Sequence, residues 1–251
     1  MYLQGIIMDM ALLLFAALAP VIVLLCYIYR RDKHKKEPVK ELLKAFGLGI
    51  LSVFISLIIS IPLGGLGLFS NDPSTFLGCV ATAYLGAAIP EESAKFFMFW
   101  LLIRKSCYFD EKIDGIVYAS IVSLGFASVE NVLYIVNSYE SWLAVGITRA
   151  LFSVPGHFFF GVLMGYYYSL VRFCPSTPKA YEWLVLGAPI LAHGLFDTLL
   201  FTTSIAPSIS TVLVIVFLFF CNSLRKLASR SVQEHLMADA LAGSPDQNQM
   251  A

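Results

Sequence analysis

Charge is what this sequence has least of. Only 14% of its 251 residues are Asp, Glu, Lys or Arg, against 58% hydrophobic residues and a mean hydropathy of +0.77, too few charges to clothe a water-soluble globule of this size. A polytopic membrane protein is the expectation. The 17 basic and 17 acidic residues cancel, which excludes both a nucleic-acid footprint and an acidic tail. The cysteines, Cys26, Cys79, Cys107, Cys174 and Cys221, are scattered and lack CxxC spacing, so neither a disulfide framework nor a structural zinc site is indicated. They read as small apolar fillers. No internal repeat of useful length is visible, so the inverted halves common in transporters lack support. Nor does a basic segment precede the first hydrophobic run, which is expected to stay as a helix and not to be removed as a leader.

What is present is a series of apolar runs long enough to cross about 30 Å of hydrocarbon. They fall at 6–29, 45–63, 76–103, 113–136, 142–170, 183–201 and 205–224. The expected fold is therefore all-α, a polytopic bundle of about seven transmembrane helices in the cell membrane. The third and fifth runs are overlong and contain Pro90 and Pro155, both plausible kink points. With the amino terminus outside, every lysine and arginine except Lys95 and Arg149 falls in a cytoplasmic gap or in the tail, whereas the outer gaps hold Asp72 and Glu140 and no basic residue. That asymmetry follows the positive-inside rule and puts the carboxyl terminus in the cytoplasm. The bundle is read as residues 1–230, and residues 231–251, ending Ser244-Pro245-Asp246-Gln247-Asn248-Gln249, as a flexible polar tail.

Within the spans lie charges that hydrocarbon does not tolerate cheaply: Glu91, Glu92, Lys95, Glu130, Arg149, His157, His193 and Asp197. Each costs about 2.5–3.5 kcal/mol at the bilayer centre on insertion scales, so such groups normally turn inward, pair and serve function. At about 1.5 Å of rise per residue, counted from the cytoplasmic ends, His193 lies at about 15 Å, Glu92 and Glu91 at about 16–18, His157 at about 20, Asp197 at about 21 and Glu130 at about 26. One layer of four helices thus carries acids and imidazoles, with Arg149 nearer the outer surface. Glu91 and Lys95, His193 and Asp197, and Arg149, Ser153 and His157 recur at i,i+4, so each set shares a helix face. Purely structural ion pairing, a proton- or cation-coupled transporter and a non-catalytic scaffold or sensor are the readings to set against an enzyme. Gly161 and Gly165 have GxxxG spacing, fit for close approach of another helix, most simply one of the same bundle. The aromatic runs Phe96–Trp100 and Phe158–Phe160 read as packing.

Glu91-Glu92-Ser93-Ala94-Lys95 fits EExxK, Phe126 through Glu130-Asn131 fits FxxxEN, and His193 through Asp197 fits HxxxD. Together, and with the stretch from Arg149 to Gly165, they resemble the PrsW family of intramembrane proteases, distant relatives of the CPBP group that includes the CAAX-processing enzymes. The resemblance covers about residues 80–200, in the family's order. In the CPBP relatives the second motif is FxxxH and the first ends in arginine. Glu130 and Lys95 stand at those places here, which favours PrsW and argues against a prenylated substrate.

The resemblance implies a glutamate-dependent endopeptidase acting on a membrane-anchored protein, an anti-sigma factor being the best-known kind of target. Peptide hydrolysis needs an activated water, a cradle for the oxyanion and a proton for the leaving amine. Glu91 or Glu92 is expected as the base, Lys95 as the group tuning that pair, His157 or His193 as the donor, and Glu130 and Asp197 as partners fixing the imidazoles. HExxH is absent, as are a GxSx serine and the YD and GxGD aspartates. No cofactor is expected. If a divalent metal such as zinc is present, Glu92, Glu130, His157 and His193 are the ligands to expect.

Overall fold

The computed structural model describes residues 2–32 and 35–242, and among these every regular element is helical. The α-helices are α1 (Tyr2–Arg31), α2 (Val39–Gly65), α3 (Phe76–Ala81), α4 (Ile89–Ile103), α5 (Lys112–Asn137), α6 (Trp142–Thr148), α7 (Val154–Phe173), α8 (Ala180–Ile205) and α9 (Ser210–Ala242). Among the described residues six helical runs are long and apolar enough to cross a membrane, Tyr139–Phe173 counting as one. The run 76–103 is also helical from end to end, but it carries Glu91, Glu92 and Lys95 and is not among the six.

Both overlong runs contain a widened turn where the sequence places a proline. Thr82–Ala88 and Arg149–Ser153 are π-helical. In the first, the Ile89 N–H donates to Tyr84 O; in the second, the Val154 N–H donates to Arg149 O. Pro90 and Pro155 follow directly. A proline supplies no N–H and crowds the carbonyl four residues back, and an i→i+5 turn absorbs that defect without ending the helix. Each widened turn rotates the residues after it, and those residues include Glu91, Glu92 and Lys95 on α4 and His157 on α7.

The central element is α5, on which every residue from Ile113 to Ser128 is buried. Its neighbours α2 and α7 approach to backbone contact at glycines. A Cβ on Gly49 would sit 2.1 Å from Val122 O, and one on Gly165 would sit 2.1 Å from Gly115 O. The Gly161 to Gly165 pair thus packs α7 onto α5 within one bundle, the simpler of its two uses. All five cysteines are free thiols.

The segment read as a polar tail, residues 231–251, begins inside helix α9. Helix α9 runs on to Ala242, with Ala228, Val232 and His235 buried, and Asp239 accepts the Lys112 and Ile113 N–H groups at 3.0 and 2.9 Å, capping α5 from another helix. Residues 228, 232, 235 and 239 fall on one helical face, so a polar-looking segment still has a side to bury. Residues 243–251 lie outside the described residues.

Candidate active site

Four helices bring the sequence-predicted groups into one chamber. From α4, Lys95 is fully buried and directs Nζ at Glu92 Oε1 (2.8 Å), Glu91 Oε2 (3.3 Å) and His157 Nδ1 (3.1 Å). Its ammonium also stands 4.1 Å from the centre of the Phe126 ring, a cation–π contact that gives the phenylalanine of the second motif a task. From α7, His157 turns its other nitrogen, Nε2, to Glu130 Oε2 on α5 at 2.7 Å. Since the ammonium has only protons to offer, Nδ1 accepts and Nε2–H donates, which fixes the tautomer.

On α8, His193 places Nδ1 2.8 Å from Glu92 Oε1 and Nε2 3.3 Å from Asp197 Oδ2. Both ring nitrogens thus face carboxylates, and both are satisfied only with a proton on each. The ring stacks on Phe160 at 4.8 Å between centroids. Tyr84 wedges α8 in place. Its hydroxyl donates to Leu191 O, and its ring lies so close to Gly194 that a Cβ there would be 2.3 Å away.

A cavity of about 180 Å³ adjoins these groups, lined by Glu91, Glu130, His157, His193 and Asp197 together with Tyr134, Ser153, Phe160, Phe196 and Phe201. That is room for several waters at about 30 Å³ each. Glu91 and Glu92 differ sharply in their access to it. The Glu91 side chain is 14% exposed and pairs with Lys95, whereas Glu92 is wholly buried, with one oxygen shared between Lys95 and His193.

All seven predicted site residues therefore meet. Arg149 belongs with them, which its expected position near the outer surface did not foretell: Nη2 donates to Glu130 Oε2 at 2.8 Å and Nε donates to Asn131 Oδ1 at 2.7 Å. Two i,i+4 steps, through Ser153 to His157, were the sequence signal for that membership. Asn131 was marked by the FxxxEN motif, whereas Tyr134 and Phe160 carried no such signal, because nothing in their spacing shows what they touch.

Glu91, Glu92, His157 and His193 each offer one donor atom, all within 4.8 Å of one another. Two imidazoles and two carboxylates suit a divalent ion such as zinc. Glu92 Oε2 is buried without a hydrogen-bond partner, a lone pair left for something the side chains around it do not supply. The set differs from the expected one in taking Glu91 where Glu130 was named, since Glu130 is engaged by Arg149 and His157.

The family described as PrsW family intramembrane metalloprotease has a model that matches residues 37–223. The chain belongs to the PrsW family. Among its relatives, Protease PrsW of Geobacillus kaustophilus is 36% identical over 75% of this chain and 79% of its own length. Protease PrsW of Bacillus subtilis is 34% identical over 86% of this chain and 95% of its own. That of Clostridioides difficile is 35% identical over 75% and 79%. No solved structure matches. Membership in this family makes the chain an intramembrane protease, a hydrolase of the cell membrane acting on membrane-embedded substrates, and the transporter and scaffold readings give way to it.

Proposed function

We propose that this protein cuts a membrane-anchored protein, a regulator such as an anti-sigma factor, with a water activated by Glu91. The bundle would cross the membrane seven times, the run 76–103 being the crossing beyond the six, with the amino terminus outside and the catalytic core within about residues 80–200. The distribution of lysine and arginine supports that orientation.

The observation that carries the reading is the division of labour between the adjacent glutamates. Glu92 is spent on Lys95 and His193, while Glu91 borders the cavity. Glu91 therefore takes the proton from a water placed between it and the scissile carbonyl. His193 has carboxylates at both nitrogens and is assigned the proton delivered to the leaving amine. His157 is held by Lys95 and Glu130, and its Nε2–H, oriented by Glu130, is assigned to be shared with the oxyanion as charge builds there. Glu130 and Asp197 keep the two imidazoles in register, and Lys95 holds Glu91 and Glu92 together.

A divalent ion would be held by Glu92 and by His157 and His193 as neutral imidazoles, that ligand role then replacing the proton and oxyanion roles given to the two rings above, with Glu91 left to the cavity, in keeping with the three protein ligands usual at catalytic zinc. When bound, such an ion supplies Lewis-acid polarisation of the scissile carbonyl and activation of water. The Lys95 ammonium contacts two of those three residues and competes with the ion for them.

The test is a single-span reporter carrying an epitope on each side of its transmembrane helix, reconstituted with the protein in liposomes. Wild-type protein is expected to release a fragment, and Glu91→Gln to slow that release by about 10²–10⁴-fold, the range of a lost general base. Undiminished cleavage by Glu91→Gln would overturn the assignment.

A further inference from the structure

Arg149 is held at more points than an ion pair requires. Nε donates to Asn131 Oδ1 at 2.7 Å, Nη2 donates to Glu130 Oε2 at 2.8 Å, and the guanidinium carbon lies 4.1 Å from the centre of the Tyr134 ring. Three residues of one α5 turn and a half thus grip a single planar group on a residue that is 8% exposed. Behind it, the Asn131 Nδ2 group donates to Ala17 O on α1 at 2.6 Å. That bond fixes which way the amide points: turned over, it would set an NH₂ against the guanidinium and an oxygen against a carbonyl.

The segment carrying Arg149 is braced as well. Arg149 opens the π-helical turn before Pro155, and α6, just ahead of it, packs through Trp142 and Val145 against Leu13 and Ala17 of α1 and Ile135 of α5. The family match begins at residue 37, so α1 stands outside it and yet supplies the carbonyl at the end of this chain of bonds.

We propose that Arg149 is a positioning residue for the hydrolysis, acting through Glu130 on His157, with Asn131 and the Ala17 carbonyl as its anchor. The bonds run in one direction: Ala17 O orients the Asn131 amide, Asn131 seats the guanidinium, the guanidinium holds Glu130 Oε2, and that oxygen receives the His157 Nε2–H at 2.7 Å. Arginine suits the place because its rigid fork reaches two acceptors at once, which a lysine ammonium on a flexible stem does not reproduce. Glu130, whose carboxylate would otherwise be free to rotate toward the cavity it borders, is thereby committed to His157.

The inference rests on the assignment of His157 to the oxyanion, and two measurements separate its failure from the failure of that assignment. In liposomes with the single-span reporter, Arg149→Gln and Arg149→Lys are each expected to lower kcat by about 10–100-fold, the usual cost of losing a partner that orients an active-site imidazole, with KM changed less than about twofold. In a Glu130→Gln background the same arginine replacements should cost less than about twofold more, because their route to His157 is already cut. Equal losses in both backgrounds would overturn the proposal. Independently of any substrate, ¹⁵N-imidazole NMR of the reconstituted protein should show His157 protonated at Nε2, with that resonance shifted in Arg149→Gln and in Asn131→Ala. An unchanged His157 signal in both variants would overturn it too. A shifted signal with no cleavage by wild-type protein would support the positioning role and count against the catalytic reading instead.

Discussion

Two clusters of buried charge lie in this bundle, and they are built differently. In the chamber, carboxylates, imidazoles and an ammonium from α4, α5, α7 and α8 face one another around a cavity. Around the start of α5, Asp114 accepts the Asp110 and Glu111 N–H groups, Asp239 accepts those of Lys112 and Ile113, and Asp32 accepts that of Glu37. There the acids are bound to backbone, as caps are. Burial of charge alone does not mark chemistry. Side chains that hold other ionisable side chains beside a space for substrate do, while side chains that hold peptide N–H groups fasten elements together.

If that contrast holds, the clusters fail in different ways when cut. The largest effect is expected at Glu92, which is wholly buried against Lys95 and His193. Glu92→Ala leaves the buried ammonium short of a partner, and destabilisation of about 3–5 kcal/mol is expected along with loss of cleavage. A melting temperature equal to that of wild type would contradict it. Next comes metal removal: dialysis against a strong chelator should lower reporter turnover by about tenfold or more, with zinc restoring it. Full activity in protein shown by elemental analysis to be metal-free would eliminate the ion.

Smaller effects belong to the cluster at the start of α5. Asp239→Ala strips an acceptor from two backbone N–H groups of α5 and should cost about 1–2 kcal/mol, the range of a lost helix cap, without changing kcat. A slower kcat at unchanged stability would join that cluster to the chemistry.

The smallest effect is a pH dependence at Glu37, in the loop between α1 and α2. Burial raises its carboxyl from 4.5 to about 7, even though the Tyr118 hydroxyl that donates to it works in the other direction. Between about pH 4.5 and 7 the folded chain thus keeps a proton that the unfolded chain has released, so stability falls as pH rises through that window. Thermal melts should show that slope in wild type and a flatter one in Glu37→Gln. Identical slopes would remove Glu37 as its source.

The chamber was legible in the sequence because charges inside apolar runs are conspicuous and their i,i+4 spacing survives any error in helix boundaries. The motif order then named the family. Other features were hidden for physical reasons. The widened turns before Pro90 and Pro155 depend on how a helix chooses to absorb a proline, and a kink was as consistent with the sequence. Arg149 sat close to a span end, where a charge can reach water unaided, so its inward grip on Glu130 and Asn131 needed coordinates. The buried face of α9 past Arg230 was written in residues 228, 232, 235 and 239, but His and Asp on that face masked the periodicity. The carboxylates at the start of α5 gave no signal because their partners are backbone groups, which no side-chain pattern reveals.

The central claim is that Glu91 serves chemistry while the acids at the start of α5 serve the fold. Turnover of the single-span reporter and melting temperature, measured on the same preparations of Glu91→Gln and Asp239→Ala, test it most directly. The account predicts a crossed result: Glu91→Gln loses cleavage and melts like wild type, and Asp239→Ala cleaves like wild type and melts lower. Retained cleavage in Glu91→Gln, or lost cleavage in Asp239→Ala at an unchanged melting temperature, would contradict it.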